Sequence, residues 1–238
     1  MFVVLAVVGF AIAAGAQIVR GALDAGRSAG YAFSPTGILE PLAIIRRSPA
    51  LTDLTLIALI YAATQSCLTT FFVVHLTEAL GWTLITAGLA LAVVTLGGVA
   101  GRIGWGFVAD RLLPPRLVLG ALGVVACVCS LIFASAHANW PIAGLLCGAL
   151  VFGGTAIGWN GVQLSELARH APAGVAGAVT GASGFVTISG VVVGPLVFTL
   201  LATLTGSYRA GFIVFGVMSG LGGLTLLLRG RWATGKWK

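Results

Sequence analysis

Two polar stripes and one knot of charge are the parts of this sequence whose residue types could do chemistry. Tyr61, Gln65 and Thr69 recur at every fourth position, so on a helix they share one face, with Phe72 near its end. Thr155, Trp159 and Gln163 repeat that spacing, with Asn160 beside them. Amides, hydroxyls and an indole N–H form hydrogen bonds without carrying charge, so two such faces suit a small neutral or weakly polar organic molecule. Packing between helices is the competing use of the same groups, and it weighs most for hydroxyls such as Thr180, Ser183 and Thr187. The knot lies between residues 101 and 111 and holds Arg102, Asp110 and Arg111, with Arg116 just beyond. One acid among several bases can latch two segments together through charge-assisted bonds, whereas plain topological charge around a Pro114-Pro115 turn would need no latch.

Covalent chemistry has no comparable support. His75, His137 and His170 are scattered, and no metalloprotease, phosphate-loop or serine-triad pattern occurs. Cys67, Cys127, Cys129 and Cys147 make no disulfide framework, and Cys127 and Cys129, two apart on a helix, point in different directions. The sequence predicts no enzyme, no metal centre and no cofactor.

The elements that position these residues follow from the solvent. The 238 residues are 58% hydrophobic and 8% charged, with a mean hydropathy of +1.08, whereas a soluble domain carries roughly a quarter charged residues. Such a chain belongs in a lipid bilayer. Backbone groups in hydrocarbon must bond internally, which leaves helices or a closed barrel, and long uniform apolar runs choose helices. The expectation is an all-α polytopic bundle of about seven spans, near 2–19, 54–77, 84–101, 117–136, 142–164, 175–203 and 210–228, judged against roughly 20 residues per crossing.

Orientation follows from the cations. With residues 20–53 cytoplasmic, Arg20, Arg27, Arg46, Arg47, Arg102, Arg111, Arg116, Arg169, Arg229, Arg231, Lys236 and Lys238 fall inside and only Arg209 outside, as the positive-inside bias requires. The net charge of +7 is therefore topological and not a nucleic-acid footprint, because it gathers into no single patch. Trp82, Trp140 and Tyr208 would mark the outer interface, and Trp105, Trp232 and Trp237 the inner one. A signal peptide ending at Ala14-Gly15-Ala16 lacks a basic start and would leave four arginines outside. Gly194-Pro195 marks an expected bend in 175–203. Pairs such as Gly97/Gly101, Gly144/Gly148, Gly154/Gly158, Gly177/Gly181, Gly190/Gly194 and Gly216/Gly220 suit close helix packing.

The run Gly101-Arg102-x-x-x-Gly106-x-x-Ala109-Asp110-Arg111 resembles the signature between the second and third helices of each six-helix half in the major facilitator superfamily, here the C-terminal copy. Arg46-Arg47-Ser48-Pro49-Ala50 resembles the end of that superfamily's central loop. Gly158-Trp159-Asn160-Gly161, Glu166 and the Pro172, Gly177, Gly181 spacing resemble its tenth helix and the loop that follows. Two departures stand out: Leu112-Leu113-Pro114-Pro115-Arg116 replaces the usual glycine and paired basic residues, and Ala176 stands where Arg is frequent.

The resemblance implies helices six through twelve: a sixth-helix equivalent at 1–19, a cytoplasmic central linker at 20–53, and a C-terminal bundle with a short tail at 54–238. A missing N-terminal half would be the partner. The implied activity is secondary transport of a small-molecule solute by alternating access, in a bacterial inner membrane. The implied cytoplasmic gate is Arg102, Asp110, Arg111 and Glu166, and the implied cavity lining is Tyr61, Gln65, Thr69, Thr155, Trp159, Asn160 and Gln163. No Asp, Glu, Lys or Arg is expected deep within a span, which favours a neutral or weakly polar solute unless missing helices supply a charge. A retinal pump is excluded, since Lys236 and Lys238, both in the tail, are the only lysines. A ligand receptor or a non-transporting remnant are the other readings.

Overall fold

The computed structural model describes residues 2–18 and 35–233. The expected linker residues 19–34, including Arg20 and Arg27, and the tail residues 234–238, including Lys236, Trp237 and Lys238, lie outside the described residues. The chain divides into two compact units, 1–37 and 38–238. In the first, helix α1 (Phe2–Ile18) is a 17-residue apolar helix, about 26 Å long at 1.5 Å per residue.

The second unit carries six helices long and apolar enough to cross a membrane. Helix α2 (Pro35–Arg47) lies within the segment expected as a linker and buries Ile45 against the following helix. Helix α3 runs Pro49–Leu80 and helix α4 Leu84–Arg111. Helix α5 follows over Pro115–Ser135. One further span, Ile142–His170, is divided into α6 (Ile142–Ala156) and α7 (Asn160–His170). Helices α8 (Ala176–Thr205) and α9 (Tyr208–Ala233) complete the bundle.

The helices outrun their apolar stretches because caps, not hydropathy, end them. Ser48 caps α3, its hydroxyl accepting from the Leu51 N–H, and Pro49 occupies the first turn, where its missing N–H costs nothing. At the other end Gly81 adopts φ 68°, the left-handed cap that a side chain resists. The span expected to end at 101 is corrected by the structure: residues 101–111 are the last three turns of α4, and the reversal is confined to 112–114. Charged side chains lower hydropathy without breaking the backbone ladder. Helix α8 is continuous across Pro195.

Close crossings explain part of the glycine content. A Cβ on Gly97 or Gly101 would strike the backbone of Leu150 or Gly154, and one on Gly190 or Gly194 would strike Leu59 or Ala63. These glycines let α4 meet α6, and α8 meet α3, backbone to backbone. Gly177 and Gly181, at the same spacing, have open space around them. Beyond these crossings the core is aromatic toward one end, where Phe72, Phe133, Phe152, Phe198, Phe212 and Phe215 are all buried. The charged pairs gather at the other end.

Candidate functional site

Gln65 stands at the middle of α3 and Asn160 at the first turn of α7. Asn160 Nδ2 donates to Gln65 Oε1 at 3.2 Å and to the Ile157 carbonyl at 3.2 Å. Both N–H groups of the Asn160 amide are thereby used, while its oxygen and the Gln65 NH₂ have no hydrogen-bond partner among the described residues. Both side chains are half-buried.

The bond to Ile157 depends on a break in the span. Residues 157–159 leave the helix, with Ile157 at φ −112°. In an unbroken helix the carbonyls of Gly154 and Ile157 would each serve the amide four residues on. Here side chains meet them: Trp105 Nε1 donates to the Gly154 carbonyl at 2.8 Å, and Arg102 Nε shares the Ile157 carbonyl with Asn160 at 3.5 Å. A freed carbonyl inside a membrane needs such a partner, because hydrocarbon supplies none.

Arg102 is where the structure departs most from expectation. It sits nine residues before the end of α4 at Arg111, about 13 Å up the helix axis. Its side chain reaches the break instead of joining the charges at the helix end. A guanidinium thus shares an acceptor with Asn160. The guanidinium carries five donors, of which Nε is engaged here.

The other members of the two polar stripes take different places. Tyr61 is buried, its hydroxyl donating to the Leu119 carbonyl at 2.8 Å and its ring meeting Trp159 edge-on at 5.7 Å. Trp159 is 1% exposed, and its Nε1–H has no acceptor among the described residues, a costly state for a buried donor. Thr155 donates back to the carbonyls of Val151 and Phe152, and Thr69 to those of Gln65 and Ser66. Gln163 is buried one turn into α7. In α8, Ser183 accepts from the Thr55 hydroxyl at 3.0 Å and so ties α8 to α3.

The expected gate residues do not form one network among the described residues. Asp110 pairs with Arg169 at 3.3 Å, with both side chains more than half exposed. Glu166 is buried and pairs with Arg116 at 3.5 Å and with His170 at 3.6 Å. Arg111 lies over the Phe107 ring of its own helix, 5.4 Å from the centroid. A further pair, Asp53 with Arg229 at 2.6 Å, joins the start of α3 to the end of α9.

Sequence reasoning missed Trp105, Arg169 and the pairing of Asp53 with Arg229. For Trp105 a signal existed: Gly97, Gly101 and Trp105 recur every fourth residue, so the indole lies on the face that meets α6. The partners Arg169 and Arg229 are 59 and 176 positions away from theirs in sequence, and no local pattern announces them.

Comparison with known proteins agrees with this architecture. No curated protein sequence matches the chain. Among solved structures it resembles the fucose:proton symporter of E. coli, with a TM-score of 0.67 at 16% identity, covering 84% of this chain and 48% of the symporter. The chain therefore spans about half the length of that structure, and at this identity the likeness is one of fold. The family model of the Major Facilitator Superfamily matches residues 1–189, through α1 to α7 and about half of α8. With its helical membrane-spanning fold and that match over most of its length, the chain belongs to the Major Facilitator Superfamily, a family of transporters and not of enzymes.

Proposed function

We propose that this chain forms the C-terminal six-helix bundle of a secondary active transporter, preceded by a sixth-helix equivalent and a linker. A second bundle, an N-terminal half, supplies the opposing wall, and solute crosses by alternating access around a site near the bilayer midplane. The end that carries Asp53, Asp110, Arg116, Glu166 and Arg169 faces the cytoplasm of a bacterial inner membrane, in keeping with the distribution of cations. Asp110 with Arg169, and Glu166 with Arg116, act there as the gate.

One observation carries the site: Gln65, Asn160 and Arg102 converge on the interruption in the Ile142–His170 span. Two amides supply directional hydrogen bonds, and the exposed guanidinium supplies a positive charge with donors left to meet an anion. That set suits a small organic solute with an anionic or strongly accepting group, such as a carboxylate. It differs from the neutral solute favoured by sequence, because the Arg102 guanidinium shares the Ile157 carbonyl with Asn160.

The test is uptake by membrane vesicles from cells producing the protein from its own locus. Labelled acetate and benzoate serve as carboxylate probes and L-fucose as a neutral one. A hydrogen bond to a charged group contributes about 1.5–3 kcal/mol, so Arg102→Gln lowers carboxylate uptake at least tenfold while the protein still reaches the membrane. Equal uptake by wild type, Arg102→Gln and Asn160→Ala refutes the site.

A further inference from the structure

We infer that Trp105 is a positioning residue of this site: its indole N–H holds the span open at residues 157–159, which places Asn160 and Arg102 on a common carbonyl. The inference rests on the proposed site and adds to it the device that builds it.

The backbone is not forced apart by a proline, since residues 154–161 contain none. Gly154 and Gly158 instead allow two outcomes. Gly158 could offer its N–H to the Gly154 carbonyl and continue the helix, or the carbonyl could bond elsewhere. Trp105 decides between them, with Nε1 2.8 Å from that oxygen. The surroundings leave the indole little freedom. Gly97 and Gly101 bring α4 against Leu150 and Gly154, and a Cβ on Gly158 would strike the Gly154 carbonyl oxygen and lie 3.0 Å from the Trp105 Cδ1 and 3.0 Å from the Gly101 carbonyl carbon. The absence of a side chain at Gly158 therefore leaves room for both the Gly154 carbonyl and the edge of the indole that bonds it.

The consequence reaches the ligand groups through one atom. With the helix interrupted, the Ile157 oxygen is available to side chains, and both Asn160 Nδ2 and Arg102 Nε take it. Were the helix to continue, the Gly161 N–H would claim that oxygen, and the two side chains would lose their shared anchor. Trp105 and Arg102 stand three positions apart on α4, so one turn of that helix both holds the break and uses it. Movement of α4 during a transport cycle would therefore be felt directly at Asn160.

Trp105→Phe tests this, since it keeps the aromatic bulk and removes only the donor. Hydrogen–deuterium exchange of the full protein in lipid nanodiscs reads the backbone without any solute. The expected result is slower exchange, by about fivefold, confined to amides 158–161, as those N–H groups recover helical acceptors. This is the change expected for one hydrogen bond of about 1 kcal/mol. Unchanged exchange there, or faster exchange across all spans as in a general loss of packing, overturns the inference. Uptake separates the two proposals. If Trp105→Phe exchanges like wild type while Arg102→Gln abolishes acetate uptake, the site stands and the clamp fails. If Trp105→Phe slows exchange while Arg102→Gln transports normally, the clamp stands and the site fails.

Discussion

Replacing Glu166 with Gln should cost far more stability than replacing Asp110 with Asn, although Asp110 is the acid that the signature singles out. Glu166 and Arg116 are 7% and 16% exposed and lie 3.5 Å apart. At an effective dielectric of about 20 their attraction is on the order of 5 kcal/mol, much of it offset by the cost of removing both charges from water. Removing one partner of a buried pair costs about 3–5 kcal/mol, because the other charge is left uncompensated. Water reaches Arg116 in part, and the Gln oxygen still accepts, so we expect about 2–3 kcal/mol for Glu166→Gln. Asp110 and Arg169 are 63% and 51% exposed, and a pair so well hydrated contributes less than about 1 kcal/mol. Equilibrium unfolding in bicelles, followed by helical circular dichroism, measures both. Adding Arg116→Gln to Glu166→Gln should recover part of the loss, since the orphan charge is then gone. A loss for Asp110→Asn equal to that for Glu166→Gln, or a Glu166→Gln loss under about 0.5 kcal/mol, refutes this reasoning.

Two further predictions follow from packing. Gly190→Leu should prevent α8 from docking on the Leu59 carbonyl and destabilise the bundle by about 3 kcal/mol or more, whereas Gly181→Ala, in open space, should stay within about 0.5 kcal/mol; thermal unfolding of the two purified variants compares them. Tyr61→Phe should lose about 1–2 kcal/mol in the same assay, because it leaves the buried Leu119 carbonyl without its hydroxyl partner at 2.8 Å.

Amino-acid order alone indicated that this chain crosses a membrane as helices and which helices carry polar faces, and the motif at 101–111 indicated which family it resembles. Those properties live in local composition and spacing: an apolar run of twenty residues has one use in water or lipid, and a four-residue repeat has one face. Gln65 and Asn160 were legible for this reason, and α3 and α7 do bring them together. The charges proposed as a gate were legible only as a list, because the charges were visible but their partners were not. Arg102 shows why. Hydropathy ended its span at residue 101, yet the helix continued to Arg111, so a residue expected at the membrane edge lies beside the amides. The break at 157–159 was equally hidden, since it contains no proline and its cause is Trp105, 49 positions away. Sequence records which groups need partners in hydrocarbon, but only the packing of α4 against α6 and α7 decides which partners they find, because that choice depends on the distance of closest approach between helices far apart in the chain.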